Sequence, residues 1–233
     1  MRLRELPPTD IRALPNYTVL EGSHYLRIPA STLKSWIVGR DYDVHAGRKR
    51  SKSLIRPAQT RPTLLSFVNL VEAHVLHAIR HKHGVRLGSV RRALDYVEGK
   101  LGERHPLITR EFKTDGVDLF IEQLGDLVIA SQDGQVALRQ FFDLHLQRVE
   151  HDEQGIANRL FPFTRLSHVD QPKFIVINPG ISFGRPVIEA GGVSTAAILE
   201  RHQAGESLEH LAKDFRLSFP EVEEAIRCES GRS

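Results

Sequence analysis

Cysteine is nearly absent from this chain: Cys228 stands alone among 233 residues. A single thiol excludes an intramolecular disulfide framework and a thiolate metal site, and such usage points to a reducing cytoplasm. Long apolar runs are missing too. None approaches the roughly 20 residues that span a bilayer, so no membrane segment is expected. The first ten residues hold Arg2, Arg4, Pro7 and Pro8 and lead into no apolar stretch, so no signal peptide is expected either. Glycine loops that cradle phosphates are lacking, since residues 180–184 have neither the spacing nor the lysine of that motif. No repeat recurs at a fixed period. The rest of the composition, 40% hydrophobic and 26% charged, is that of a folded globular protein and excludes disordered and collagen-like chains.

What is present is a polarised charge. Residues 1–100 hold 18 Lys and Arg against 8 Asp and Glu, and residues 101–233 hold 14 against 21, so a net +3 hides +10 and −7. A basic half beside an acidic half suggests that one meets a polyanion and the other something different, such as a basic protein. The competing explanation is drift of surface charge between two domains.

Three prolines, Pro7, Pro8 and Pro15, deprive residues 1–16 of a helical period, so this segment reads as an extended arm. Two short helices follow, over 17–26 and 31–38, separated by Arg27-Ile28-Pro29. In the second, Leu33, Trp36 and Ile37 recur at i, i+3 and i+4, which turns Ser31, Thr32, Lys34 and Ser35 outward together. Residues 40–61 carry seven Lys and Arg against two Asp. They read as a hairpin with flanks at 42–44 and 53–55 and a basic tip around Gly47. Helices are expected over 64–83, with Leu64, Phe67, Val68, Val71, Val75 and Ile79 on one side, and over 87–101, with Val90, Leu94 and Val97.

In the middle, 118–122 and 127–130 flank Leu124-Gly125-Asp126 and predict a β-hairpin by turn chemistry, followed by a helix ending near Arg148. Residues 151–172 read as a linker with an aromatic island at 160–163. The last segment opens with a short β-hairpin around Asn178-Pro179-Gly180. It continues in three helices over 194–203, 207–215 and 220–228, with Ser207 and Ser218 at helix starts. The expected fold is α+β and mainly helical. Its parts are an arm (1–16), a winged-helix DNA-binding domain (17–104), a β-hairpin plus helix extension (105–150), a linker (151–172) and a C-terminal three-helix module (173–229).

DNA binding needs cations for phosphates and a polar helix face for base edges. Ser31, Thr32, Lys34 and Ser35 suit the second role, with Arg27 in the preceding turn. Arg40, Arg48, Lys49, Arg50 and Lys52 suit the first. A recognition helix followed directly by a basic hairpin is a winged-helix order. A solvated basic loop beside an ordinary helix pair is the plainer explanation.

These residues carry a resemblance. Tyr17-Thr18-Val19 with Tyr25-Leu26-Arg27-Ile28-Pro29-Ala30-Ser31-Thr32-Leu33-Lys34-Ser35-Trp36 resembles the N-terminal helix-turn-helix of MerR and excisionase proteins, and residues 83–94 resemble a later helix pair of the same domain. Pro29 and Ala30 depart from that pattern, which often has a capping Ser and a base-reading Arg there, so fewer direct base contacts are implied. Residues 175–188, from Ile175-Val176-Ile177-Asn178-Pro179-Gly180 to Pro186-Val187-Ile188, together with Ala204-Gly205-Glu206-Ser207-Leu208, resemble the bacterial module known as "domain of unknown function 433". That module recurs in antitoxin-like proteins encoded beside PIN-like ribonuclease toxins. The whole chain is similar to large two-domain VapB-type antitoxins. The resemblance implies a cytoplasmic homodimer that represses its own operator and silences a PIN-like ribonuclease. The last helix of the homeodomain-like end bears Glu221, Glu223 and Glu224 against Arg227. Carboxylates repel phosphate, so these four residues are assigned to a protein partner or a dimer contact.

Catalytic readings are weaker, and the expectation is no enzyme, no cofactor and no metal. His74, His77 and His81 share a helix face at a spacing that zinc could use, but a solvated helix edge explains them as well. Asp115, Asp118, Glu122 and Asp126 suggest a metal-dependent nuclease, although alternation and turn chemistry already account for them. The alternative function is a MerR-like one-component regulator in which residues 112–163 sense a small ligand.

Overall fold

The order of the chain begins at Thr18. Its Oγ1 accepts from the Glu21 amide (3.1 Å), while the Glu21 carboxylate accepts from the Thr18 amide (2.8 Å). This reciprocal cap starts α1 (Val19–Leu26) after the two-residue strand β1 (Tyr17–Thr18). Arg27 ends α1 in the left-handed region (φ 53°), Ile28 is buried, and α2 (Ala30–Val38) follows with Leu33, Trp36 and Ile37 in the core. The computed structural model describes residues 3–39, 41–44, 47–50, 52–81, 87–128, 132–165 and 171–230; for 41–44, 47–50, 80, 81, 125–128 and 132 it describes the backbone alone.

The hairpin after α2 pairs β2 (Asp41–Val44) with β3 (Gly47–Arg50), Val44 standing opposite Gly47. This corrects the sequence expectation that residues 53–55 form the second flank. Leu54 and Ile55 are buried instead, and both their amides donate to the Trp36 carbonyl (2.7 and 3.0 Å). Burying two aliphatic side chains against Trp36 outweighs leaving them on an exposed ribbon. The basic run is therefore a strand, and Gly47 begins it.

A small sheet of order β1–β5–β4, with β4 (Gln59–Thr60) and β5 (Thr63–Leu65), closes over α1. Leu64 and Leu65 thus belong to a strand, and Ser66 caps α3 (Phe67–His77) by accepting from the Asn69 amide (3.3 Å). The helix α4 (Leu87–Leu101) lies where its period predicts.

The predicted middle hairpin is contradicted. Residues 117–128 form α5 (Val117–Val128), preceded by a π-helical turn over Phe112–Gly116 and followed by α6 (Gln132–Leu146). Val117, Phe120, Ile121 and Leu124 are all buried, and their i, i+3, i+4, i+7 spacing is helical. Phe112, Phe120 and Phe142 pack edge to face, and that burial overrides the turn propensity of Gly125-Asp126.

The described part of the expected linker, residues 151–165 with 171 and 172, is also structured. β6 (Val149–His151) pairs with β7 (Ala157–Leu160), and Phe161 and Phe163 are buried behind them. Buried Arg148 organises this stretch by donating to the carbonyls of Phe161, Pro162, Gln171 and Pro172 at 2.8–3.1 Å. The arm is folded back as turns: Arg12 is salt-bridged to Asp10 and Asp152 (both 2.6 Å), and Arg4 exchanges backbone bonds with residues 102 and 104.

One apolar core runs from Tyr17 through Leu160 and Ile177, spanning the segments on both sides of residue 104. A second, smaller core gathers Ile175, Ile188, Ile198, Leu211, Val222, Ala225 and Cys228 from β8 (Ile175–Val176), β9 (Val187–Ile188), α7 (Thr195–Gln203), α8 (Leu208–Phe215) and α9 (Phe219–Ser230). Leu160 and Ile177 exchange backbone hydrogen bonds (3.0 and 2.8 Å), joining the two bodies edge to edge. The fold is α+β, with mostly helical layers and small antiparallel sheets.

Candidate nucleic-acid interface

Because Leu33, Trp36 and Ile37 point into the core, α2 leaves Ser31 and Lys34 exposed and Thr32 and Ser35 half-buried. The Ser35 hydroxyl donates back to the Thr32 carbonyl (2.7 Å). Lys34 is thus the cationic reach of this helix, with Ser31 beside it. Gly39, at φ 80°, turns the chain out of α2 toward β2. Arg40 lies outside the described residues. In β3, Arg48, Lys49 and Arg50 stand opposite Asp43, Tyr42 and Asp41, and Lys52 is exposed just beyond. Along the chain, α2 is thus followed by the β2–β3 hairpin, with Lys52 two residues beyond β3.

Arg27 is placed elsewhere than the sequence suggests. Its guanidinium donates to the Arg227 carbonyl (2.6 Å), so it clamps α9 to the end of α1. Four further contacts continue this seam. Tyr17 Oη donates to the Gly184 carbonyl (2.9 Å), Asn16 donates to the Phe183 carbonyl (2.7 Å), Arg185 pairs with Glu21 (2.6 Å), and His24 Nε2 lies 3.5 Å from the Glu229 carboxylate. Burial pushes the Tyr17 phenol up to about 12, which keeps it a donor. A Cβ at Gly184 would sit 2.2 Å from that hydroxyl, and φ there is 74°, so only glycine fits. None of Asn16, Tyr17, Arg185, His24 or Glu229 was assigned from the sequence to a contact between the two ends of the chain. The Thr18/Glu21 spacing signals a cap, but nothing local reports a contact across more than 160 residues.

On α9 the four predicted partner residues separate. Glu224 is 1% exposed, with its carboxylate bound by Arg165 (2.7 Å), Arg227 (2.5 Å) and the Thr164 hydroxyl. Burial pushes its carboxyl up, and the bonds from Arg165, Thr164 and Arg227 more than reverse this, holding it below the usual carboxylate value. That removes Glu224 from the outward face expected of it. Glu221 accepts from the Ser218 amide and hydroxyl (both 2.7 Å), capping its own helix. Glu223 is exposed, and Arg227 is half-buried across Glu224. Glu229, on the same helix, accepts from Thr195 (2.5 Å).

Of the three histidines, His74 is a core feature rather than an edge, His77 is half-buried, and the side chain of His81 lies outside the described residues. His74 is buried, stacked at 5.4 Å on Phe163 and 5.0 Å from the His145 ring, and its Nε2 is 3.0 Å from the His145 carbonyl. Among the described residues no group of three or more His, Cys, Asp or Glu is arranged to hold a metal ion, and no helix is long and apolar enough to cross a membrane. Asp118 is paired with Arg139 on α6.

Comparison with known proteins finds matches for two segments of the chain. A family described as "Putative DNA-binding HTH domain" matches residues 15–94, and one described as "Protein of unknown function (DUF433)" matches residues 175–227. The chain is 28% identical over 230 residues to a Mycobacterium tuberculosis protein named "Putative antitoxin VapB45", covering 91% of this chain and 93% of the relative. It is 27% identical over 224 residues to "Uncharacterized protein Rv2308" of the same organism, covering 90% and 88%. The crystal structure of Rv2018 from Mycobacterium tuberculosis has the same fold, with a TM-score of 0.66 at 23% identity, over 91% of this chain and 98% of that one. The segment near the start of the chain is therefore similar to a helix-turn-helix family and the segment near its end to the DUF433 family.

Proposed function

We propose that this protein is an antitoxin: its N-terminal winged helix, of MerR-like type, occupies its own operator as a homodimer, and its C-terminal module binds and silences a PIN-like ribonuclease toxin in the cytoplasm. The observation that carries the DNA half is the exposed Ser31/Lys34 face of α2, followed by a β-hairpin whose second strand bears three consecutive cations. In this reading Ser31, Thr32, Lys34 and Ser35 meet base edges, while Arg40, Arg48, Lys49, Arg50 and Lys52 neutralise phosphates. Arg27, bound to the Arg227 carbonyl, serves the seam between the domains. The toxin half is supported by the antitoxin named above, which aligns over 91% of the chain, and by the excess of acidic residues after residue 100. Glu223 is the carboxylate of α9 that remains outward for a basic partner.

Two measurements test the reading. Co-expression with the product of the neighbouring gene should yield a stable complex lacking ribonuclease activity; recovery of the two proteins separately overturns the toxin half. Changing Arg48, Lys49, Arg50 and Lys52 to Ala should make the slope of log affinity for DNA against log salt shallower by roughly 3 to 4, at about 0.9 per lost phosphate contact. An unchanged slope removes the wing from the interface.

A second reading, a one-component regulator sensing a small ligand, is favoured by one feature. A cleft of about 660 Å³, of ligand size, lies under the N-terminal arm, lined by Arg56, Arg104, His105 and Asn69 among others; among the described residues none of its lining comes from 112–163, the segment expected to sense the ligand. An effector that changes operator affinity without any protein partner would select this reading.

A further inference from the structure

Phe183 is the most exposed large apolar side chain among the described residues, at 88%, and it stands on an unusual piece of backbone. Ser182, Phe183 and Gly184 follow one another at φ 47°, 52° and 74°, a left-handed turn that a bulky residue rarely adopts. The turn is held from outside by Asn16, bonded to the Phe183 carbonyl (2.7 Å), and by Tyr17, bonded to the Gly184 carbonyl (2.9 Å). A loop that merely reversed direction would favour Gly or Asn at position 183 and would gain by turning an aromatic ring inward. Here backbone preference and solvation both oppose the placement, which is held by the turn's own bonds, from the Gly184 amide to the Ile181 carbonyl (2.8 Å) and from the Arg185 amide to the Ser182 carbonyl (3.0 Å), together with the contacts from Asn16 and Tyr17. Strain together with an exposed aromatic group marks a recognition element.

The surroundings indicate what is recognised. Ile181, 42% exposed, lies two residues earlier, and Leu20, 71% exposed, precedes the Glu21 that holds Arg185. The polar neighbours Asn16, Asn178 and Ser182 are neutral. Arg185, the one cation of the loop, is engaged by Glu21 at 2.6 Å and lies 5.6 Å over the Tyr17 ring. A polyanion needs uncommitted cations, and this loop offers none. An aromatic knob rimmed by neutral polar groups instead suits an apolar socket on a protein, where buried aromatic anchors carry most of the binding energy.

We propose that Phe183 is the anchor by which the C-terminal module docks into an apolar socket on its protein partner, the ribonuclease assigned above; the inference rests on that assignment. The knob belongs to the C-terminal module, and Asn16 and Tyr17 brace its turn from the N-terminal side.

The test uses the full-length chain and the co-expressed ribonuclease, with affinity measured by titration. Phe183→Asn removes the ring while tolerating the left-handed turn. It should weaken the complex by about 30-fold or more, the loss typical of an anchor residue, with DNA affinity unchanged. Phe183→Gly relaxes the turn as well, and should lose binding equally while melting no lower than wild type. If wild type binds the ribonuclease and both variants bind as tightly, the anchor is overturned and the antitoxin reading stands. If wild type does not bind, both fall. If the variants lose self-association and keep ribonuclease affinity, the knob serves a second copy of this chain and the proposal is overturned.

Discussion

The helix pairs α1–α2 and α8–α9 share a short-helix layout and send their polar residues in opposite directions. On α2, Ser31 and Lys34 go to solvent while Leu33, Trp36 and Ile37 alone hold the helix down. On α9, Val222, Ala225 and Cys228 are buried too, but so are Glu224 and Glu229, each satisfied by groups from distant segments: Arg165 and Thr164 for one, Thr195 for the other, whose carboxylate also lies 3.5 Å from the His24 ring. The first pair keeps a face free for something outside the molecule. The second uses its carboxylates to fasten the module to the 164–165 stretch and to α1. A run of acidic residues on a terminal helix is therefore a poor guide to an outward acidic face, because a buried carboxylate stays charged once cations and hydroxyls converge on it.

Charge reversal on each helix tests this difference most directly. Glu224→Lys puts an ammonium at a site that faces Arg165 and Arg227, and should destabilise the chain by about 3–5 kcal/mol, read as a lower denaturant midpoint. A change below about 1 kcal/mol would mean that Glu224 is solvated and free for a partner. Next in size is Arg148→Met. Burial pushes this guanidinium down to about 10, so it is still a cation at neutral pH, and it satisfies four carbonyls. Its loss should cost about 3 kcal/mol and expose the 161–172 stretch to proteolysis, showing that inward charge also ties down the expected linker.

A smaller effect concerns His105, which asks whether inward charge is confined to the C-terminal module. Its Nδ1 lies 2.8 Å from Glu72. Burial alone would lower its pKa, and the Glu72 carboxylate outweighs this and raises it. A raised folded value favours the protonated form, so this stabilisation is complete below the ordinary histidine range near 6.5 and disappears as pH rises through the folded value. Melting temperature should therefore fall between about pH 6 and pH 8, and His105→Gln should flatten that segment while costing about 1 kcal/mol. The smallest effect is that of Lys34→Glu on α2, expected to change stability by less than about 0.5 kcal/mol while weakening DNA binding.

Apolar periodicity and helix punctuation, read along the sequence, determined α1, α2, α4 and the three C-terminal helices. Leu33, Trp36 and Ile37, or Ser207 accepting from the His210 amide (3.2 Å), act within four residues of themselves and need no distant partner to be interpreted. The polar face of α2 was legible for the same reason. Tertiary structure decided the rest wherever two local preferences competed. Gly125-Asp126 could turn a hairpin, but Phe112 and Phe142 reward a helix that presents Phe120 to them. Leu54 and Ile55 could flank a ribbon, but the Trp36 carbonyl and the core take them in. Read in isolation, Arg27 suggested a DNA contact, Glu224 an outward partner contact and Phe183 an ordinary loop residue. Their directions are set by Arg227, Arg165 and the Asn16–Tyr17 pair, between 59 and 200 residues away along the chain. Periodicity reports which side of a helix is apolar, whereas the partner that satisfies a buried charge or holds out an aromatic ring is fixed only when remote segments meet.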